Sequence, residues 1–90
     1  MENLSINMAG INNDFVLIEH KSNCKTSCNT FRVFDDADVA RAAMEDVGPK
    51  ISELNKFTVF QFFLYKNTGK TLSLIREKTY NGGMCKDVEY

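Results

Sequence analysis

Lys56–Lys66 reads KFTVFQFFLYK, and this stretch decides the fold because it is apolar on both sides of an extended chain. Side chains alternate across a strand, so Thr58, Phe60, Phe62 and Leu64 share one face. Phe57, Val59, Gln61, Phe63 and Tyr65 share the other. A strand this rich in Phe, Val and Tyr is favourable in the middle of a sheet and is an aggregation hazard if left bare. Both faces therefore need cover. The sequence offers one long helix, which covers one face. The second needs the termini, a second subunit or a partner.

Downstream of the strand, Lys66-Asn67-Thr68-Gly69-Lys70 is a hairpin connection in which Asn67 and Gly69 can supply positive φ. The chain returns as Thr71–Thr79 (TLSLIREKT), with Leu72 and Leu74 on one face and Ser73, Ile75 and Glu77 on the other. Its charged end, Arg76–Lys78, suits an exposed strand terminus. Asn81-Gly82-Gly83 stops the strand, and residues 82–90 read as a tail, frayed or docked as a short strip.

Upstream lies the helix. Asp35 and Asp36 can accept hydrogen bonds from free N–H groups at a helix start, and Asp38 places negative charge where the helix dipole favours it. Ala40, Ala43, Met44, Val47, Ile51 and Leu54 follow at helical spacing as one stripe. Gly48-Pro49 interrupts it, and a proline in a straight helix interior costs roughly 3 kcal/mol. The continuing stripe predicts a helix kinked at Gly48-Pro49, or two segments meeting there.

Before the helix, Phe15–Lys21 (FVLIEHK) and Thr30–Phe34 (TFRVF) read as an antiparallel hairpin, with Phe31 and Val33 facing in and Ser22–Asn29 as an exposed loop. Residues 1–14 form an extended arm or edge strand, whose alternating Leu4, Ile6 and Met8 could lie against the sheet. The expected architecture is a single α+β domain of order ββαββ. It has a four-stranded antiparallel sheet with one kinked helix on one face.

Ninety residues suffice for one modest core. With 11 Lys and Arg against 12 Asp and Glu, the net charge of -1 sets up no global attraction to nucleic acid or anionic lipid. Residues 1–10 carry no basic and apolar signal pattern, and no apolar run approaches the ~18 residues of a membrane span, so a cytoplasmic protein with no membrane partner is expected. Three cysteines, Cys24, Cys28 and Cys85, fit reduced thiols better than a disulfide framework.

Chemistry-bearing motifs are few. His20, Cys24, Cys28 and Cys85 are the residue types that bind zinc, and a small zinc-stabilised regulatory domain is one alternative. Their spacing, however, lacks the paired knuckles of structural zinc sites, so no metal and no cofactor is expected. Gly69-Lys70-Thr71 ends like a phosphate-binding loop, but Leu64 stands where that loop needs its first glycine. No nucleophile, base and electrophile stand together, so no catalytic residues are expected.

The aromatic strand carries the functional expectation. Phe57, Val59, Phe63 and Tyr65, flanked by Lys66 and Lys70 at the hairpin, would form a partner-binding face on the side away from the helix. The partner would be a protein, such as a host complex, or a second copy closing a homodimer. The alternative is an RNA or single-stranded DNA stacked on the aromatic sheet, with Lys21, Lys25, Lys66 and Lys70 as the available cations. In size and character the chain resembles the small accessory proteins of phages and mobile elements, many of which inhibit or modulate a larger host machine by surface contact. That likeness rests on length, charge and the lack of catalytic residues, and on no motif.

Overall fold

The computed structural model describes residues 3–4, 13–23, 26–49, 57–69, 71–82 and 84–90. Its elements are β1 (Asn3–Leu4), β2 (Phe15–Asn23), β3 (Ser27–Phe34), α1 (Ala37–Asp46), β4 (Thr58–Asn67), β5 (Leu72–Asn81) and β6 (Met84–Glu89). The Phe-rich strand is β4 and sits in the middle: the sheet runs β3-β2-β4-β5, and the outer edge of β5 is shared by the short β1 and by β6. All pairings are antiparallel. The fold is thus α+β, as expected, and among the described residues it has one helix and five strands of six residues or more rather than four, in the order ββαβββ.

Alternation along β4 sorts its side chains as the sequence predicts. Thr58, Phe60, Phe62 and Leu64 are buried, and the last three join Leu17, Ala40 and Met44 in the core under α1. Asp36 caps the helix, its Oδ1 accepting from the N–H groups of Asp38 (2.8 Å) and Val39 (3.1 Å). Ala40 and Met44 point fully inward, with Ala43 and Val47 packed beside them.

The helix does not carry on through the proline. It ends at Asp46, and Val47 is already extended at φ -69, ψ 145. Gly48 precedes a proline, which disfavours the helical region for it, and Pro49 has no N–H to continue the ladder. Ile51 and Leu54, assigned to the same stripe, lie outside the described residues.

The β2–β3 hairpin is longer than expected. Most of the polar Ser22–Asn29 segment is strand, because turn chemistry is needed only at its tip: the Asn23 N–H donates to the Thr26 carbonyl (2.9 Å), and Asn23 Oδ1 accepts from the Thr26 N–H. In the resulting register Phe34 faces Phe15 and Arg32 faces Leu17. These β3 side chains lie on the helix side, so Phe31 and Val33 point the other way. Both are exposed, at 67% and 42%, which corrects the inward assignment.

Strand β5 changes phase partway. Leu64 lies opposite Arg76 and Tyr65 opposite Leu74, leaving Ile75 as the extra residue of a bulge. Beyond it Arg76, Lys78 and Tyr80 turn to the helix side. Two of the three charges read as an exposed strand end, Arg76 and Lys78, are therefore mostly covered, with Lys78 only 6% exposed. The chain after Gly82 (φ 61) is docked rather than frayed. It folds back as β6, with Asn81 opposite Met84 and Arg76 opposite Glu89. At the β4–β5 turn Gly69 takes φ 94 and no described residue other than glycine has positive φ. Asn67 serves instead through Oδ1, which accepts from the Gly69 N–H at 2.8 Å.

Candidate protein-contact surface

The face away from α1 is built from rows that cross the strands. One row runs Leu74–Tyr65–Val16–Val33, and the next runs Glu77–Phe63–Ile18–Phe31. Each begins in the protected middle of the sheet and ends at the β3 edge. Exposure is greatest at that edge. Val16 is 1% exposed, Phe63, Tyr65 and Ile18 are half-buried, and Val33 and Phe31 stand in solvent. Phe63 and Tyr65 are neighbours on one strand, their ring centroids 6.3 Å apart and tilted by 35°.

The same face turns polar toward the other end of the strands. His20 lies opposite Gln61 and Asn29, and their neighbour across β5 is Thr79. The side chains of His20 and Asn29 hydrogen-bond to each other. At the opposite end Leu72 is fully buried and pairs with Leu4 of β1. Asn13 and Asp14 lie at this end too, since the Asn67 side chain donates to the Asn13 carbonyl (3.1 Å) and the Asn67 N–H to the Asp14 carbonyl (2.7 Å). Most of the residues 1–14 assigned to the arm lie outside the described set.

The predicted contact residues fare unequally. Val59, Phe63 and Tyr65 do share the far face. Phe57 is 62% exposed but sits in the turn before β4. Lys66 is exposed, and its register opposite Phe15 puts it on the helix side; Lys70 lies outside the described residues. Phe31 and Val33 were missed. Each parity of TFRVF carries a phenylalanine, and its alternation favours Phe31 and Val33 as the buried pair, the reverse of what the register with β2 imposes.

Lys21 and Lys66 do not share a side with Phe63 and Tyr65. Lys21 lies over the Phe60 ring, 5.4 Å from its centroid, on the helix face. With Lys66 there also, the two described cations proposed for a nucleic-acid backbone are across the sheet from Phe63 and Tyr65. The zinc-type residues are equally separated. Cys28 and His20 are on opposite faces of the hairpin by register, and Cys85 lies on β6, four strand spacings or about 19 Å from β3. No three described His, Cys, Asp or Glu residues cluster to hold an ion, and Cys24 lies outside the described residues.

On the helix side, an open groove of about 690 Å³ separates α1 from the β2–β3 hairpin, with Glu19, Arg32, Phe34, Val39 and Asp46 among its walls. The Arg32 guanidinium lies over the Phe34 ring at 5.1 Å. No Ser, Thr, Cys or His is among the described lining residues, and the groove offers two carboxylates, Glu19 and Asp46, and a guanidinium. No described helix is long and apolar enough to cross a membrane. Compared with protein-family models, with curated proteins and with solved structures, the chain matches none.

Proposed function

We propose that this chain is a non-enzymatic protein-binding module of the cytoplasm that inhibits or modulates a larger complex by contact, in the manner of the phage and mobile-element accessory proteins it resembles in size. The observation that supports the reading is the pair of apolar rows running from Phe63 and Tyr65 through Ile18 and Val16 to the exposed Phe31 and Val33. Aromatic side chains that are held by a rigid sheet and still reach solvent are the usual anchors of protein interfaces. A nucleic-acid reading would need cations beside those rings, and Lys21 and Lys66 are on the other side.

Affinity capture from the source cell tests the proposal, with wild type compared against Phe31→Glu, Val33→Glu. Both positions are exposed, so the double variant keeps its fold, which circular dichroism verifies. The expected result is a defined set of proteins retrieved by wild type and lost by the variant. If the folded variant retrieves the same proteins, or if only nucleic acid is recovered and is released by raised salt, the contact reading fails.

A further inference from the structure

Strand β3 is an edge with little protection, its one charge being Arg32. Its outer side has no partner strand among the described residues, and Ser27–Phe34 contains no proline, no lysine and no acid, while the β2–β3 register is free of bulges. Such devices are how sheets keep their edges from pairing. The opposite edge has them: β6 is short and carries Lys86, Asp87 and Glu89. From this contrast and the phase of the ladder we infer that β3 pairs antiparallel with β3 of a second copy, centred on Phe31.

The hydrogen-bond phase fixes which residues can pair. The Asn23 N–H to Thr26 carbonyl bond closes the hairpin, so bonded pairs alternate from there as Lys21–Cys28, Glu19–Thr30 and Leu17–Arg32. Ser27, Asn29, Phe31 and Val33 therefore direct their N–H and C=O groups outward. A two-fold axis normal to the sheet pairs outward groups with outward groups in three central registers. Centring on Arg32 opposes two guanidinium-bearing residues at the closest spacing, about 4.5 Å between Cα atoms. Centring on Thr30 sets Phe31 against Asn29. Centring on Phe31 gives a Phe31–Phe31 pair that exchanges both main-chain hydrogen bonds, with Arg32 opposite Thr30 and Val33 opposite Asn29. It alone joins aromatic to aromatic without opposing like charges.

The arrangement deepens the contact reading by making a second copy the neighbour at the edge. The axis keeps both far faces on the same side, so the row Phe63–Ile18–Phe31 continues into its mate as one surface. Failure of the pairing leaves that surface available to other partners, because Phe63 and Tyr65 are two strands inside the edge.

Light scattering on the eluting full-length chain over a range of concentrations is the test, with Thr30→Lys, Phe31→Pro and Phe63→Glu. Lys at 30 faces Glu19 within the chain, which favours folding, and faces Arg32 across the axis, which opposes pairing. Pro at 31 removes an outward N–H and none of the β2–β3 bonds. Wild type should be a dimer whose dissociation constant rises roughly tenfold or more in both edge variants and is little changed in folded Phe63→Glu. A wild type that stays monomeric at about millimolar concentration overturns the inference. So does a dimer insensitive to Thr30→Lys, or one lost only with Phe63→Glu.

Discussion

The ammonium group of Lys78 donates a hydrogen bond to the main-chain carbonyl of Glu45, 3.0 Å away. Helix α1 has no basic residue in its own last turn, so β5 supplies the cation that its C-terminal dipole favours. Tyr80 continues the arrangement, its hydroxyl 3.5 Å from the Val47 carbonyl and its ring edge-on to Phe62 at 6.0 Å. Lys78→Met keeps the apolar stem and removes the donor and the charge. It should lower stability by about 1–3 kcal/mol, measured by urea unfolding, and hydrogen exchange should quicken first in residues 43–47.

Arg76 makes the next contact toward the bulge, donating to Glu45 Oε1 (2.6 Å) and, through two nitrogens, to Asp87 (3.0 and 2.8 Å). These hydrogen bonds hold both carboxyls below their usual range and raise the guanidinium above its own. A depressed carboxyl pKa contributes stability above the unfolded value, near pH 4, and that contribution disappears as pH falls through the folded value. Unfolding midpoints should therefore fall more steeply below about pH 4.5 in wild type than in Arg76→Met. Equal slopes would show that the cluster is not coupled to folding.

Two phenylalanines on opposite faces separate folding from binding. Phe62 is fully buried under α1, so Phe62→Ala should cost about 3–5 kcal/mol and bring so small a domain close to unfolding. Phe31→Ala should change stability by no more than about 0.5 kcal/mol. It should nevertheless weaken partner capture. Thermal melts and capture assays on the two variants would give opposite orders of severity.

Removal of residues 82–90 is a test of whether the C-terminal segment is part of the fold. It deletes all of β6, strips Asp87 from Arg76 and leaves the Ile75 carbonyl without the Tyr90 N–H, 3.0 Å away. The truncated chain should lose several kcal/mol and expose the β5 edge to aggregation. An unchanged melting temperature would return these residues to the status of a tail.

Legibility in the sequence followed the range of the forces involved. The burial of Phe60, Phe62 and Leu64 and the cap at Asp36 are set by neighbours a few residues away, and alternation or spacing reveals them. The side taken by Phe31 and Val33 depends on how β3 registers against Leu17 and Phe15, a contact that TFRVF does not encode by itself. Half of the candidate surface, Phe63 and Tyr65, was therefore readable and its solvent-facing edge was not. Strand β6 had a local signal in Asn81-Gly82, a common hairpin dipeptide, but MCKDVE has no apolar alternation to answer it. The burial of Arg76 and Lys78 was hidden by the extra residue Ile75, which reverses the parity on which the reading depended.

That extra residue makes β5 two half-strands of opposite phase. Upstream, Leu72 and Leu74 belong to the far face; downstream, Arg76, Lys78 and Tyr80 belong to the helix. A neighbouring strand has to change phase at the same place or stop, and the outer edge is divided accordingly, with β1 on one side of the bulge and β6 on the other. Sliding β4 along β5 by one residue would put Lys78 among the apolar rows and pull a leucine out of them. Only one alignment satisfies both halves at once. The discontinuity in β5 thus acts as a register mark for β4, the segment of this chain with most to lose from pairing wrongly.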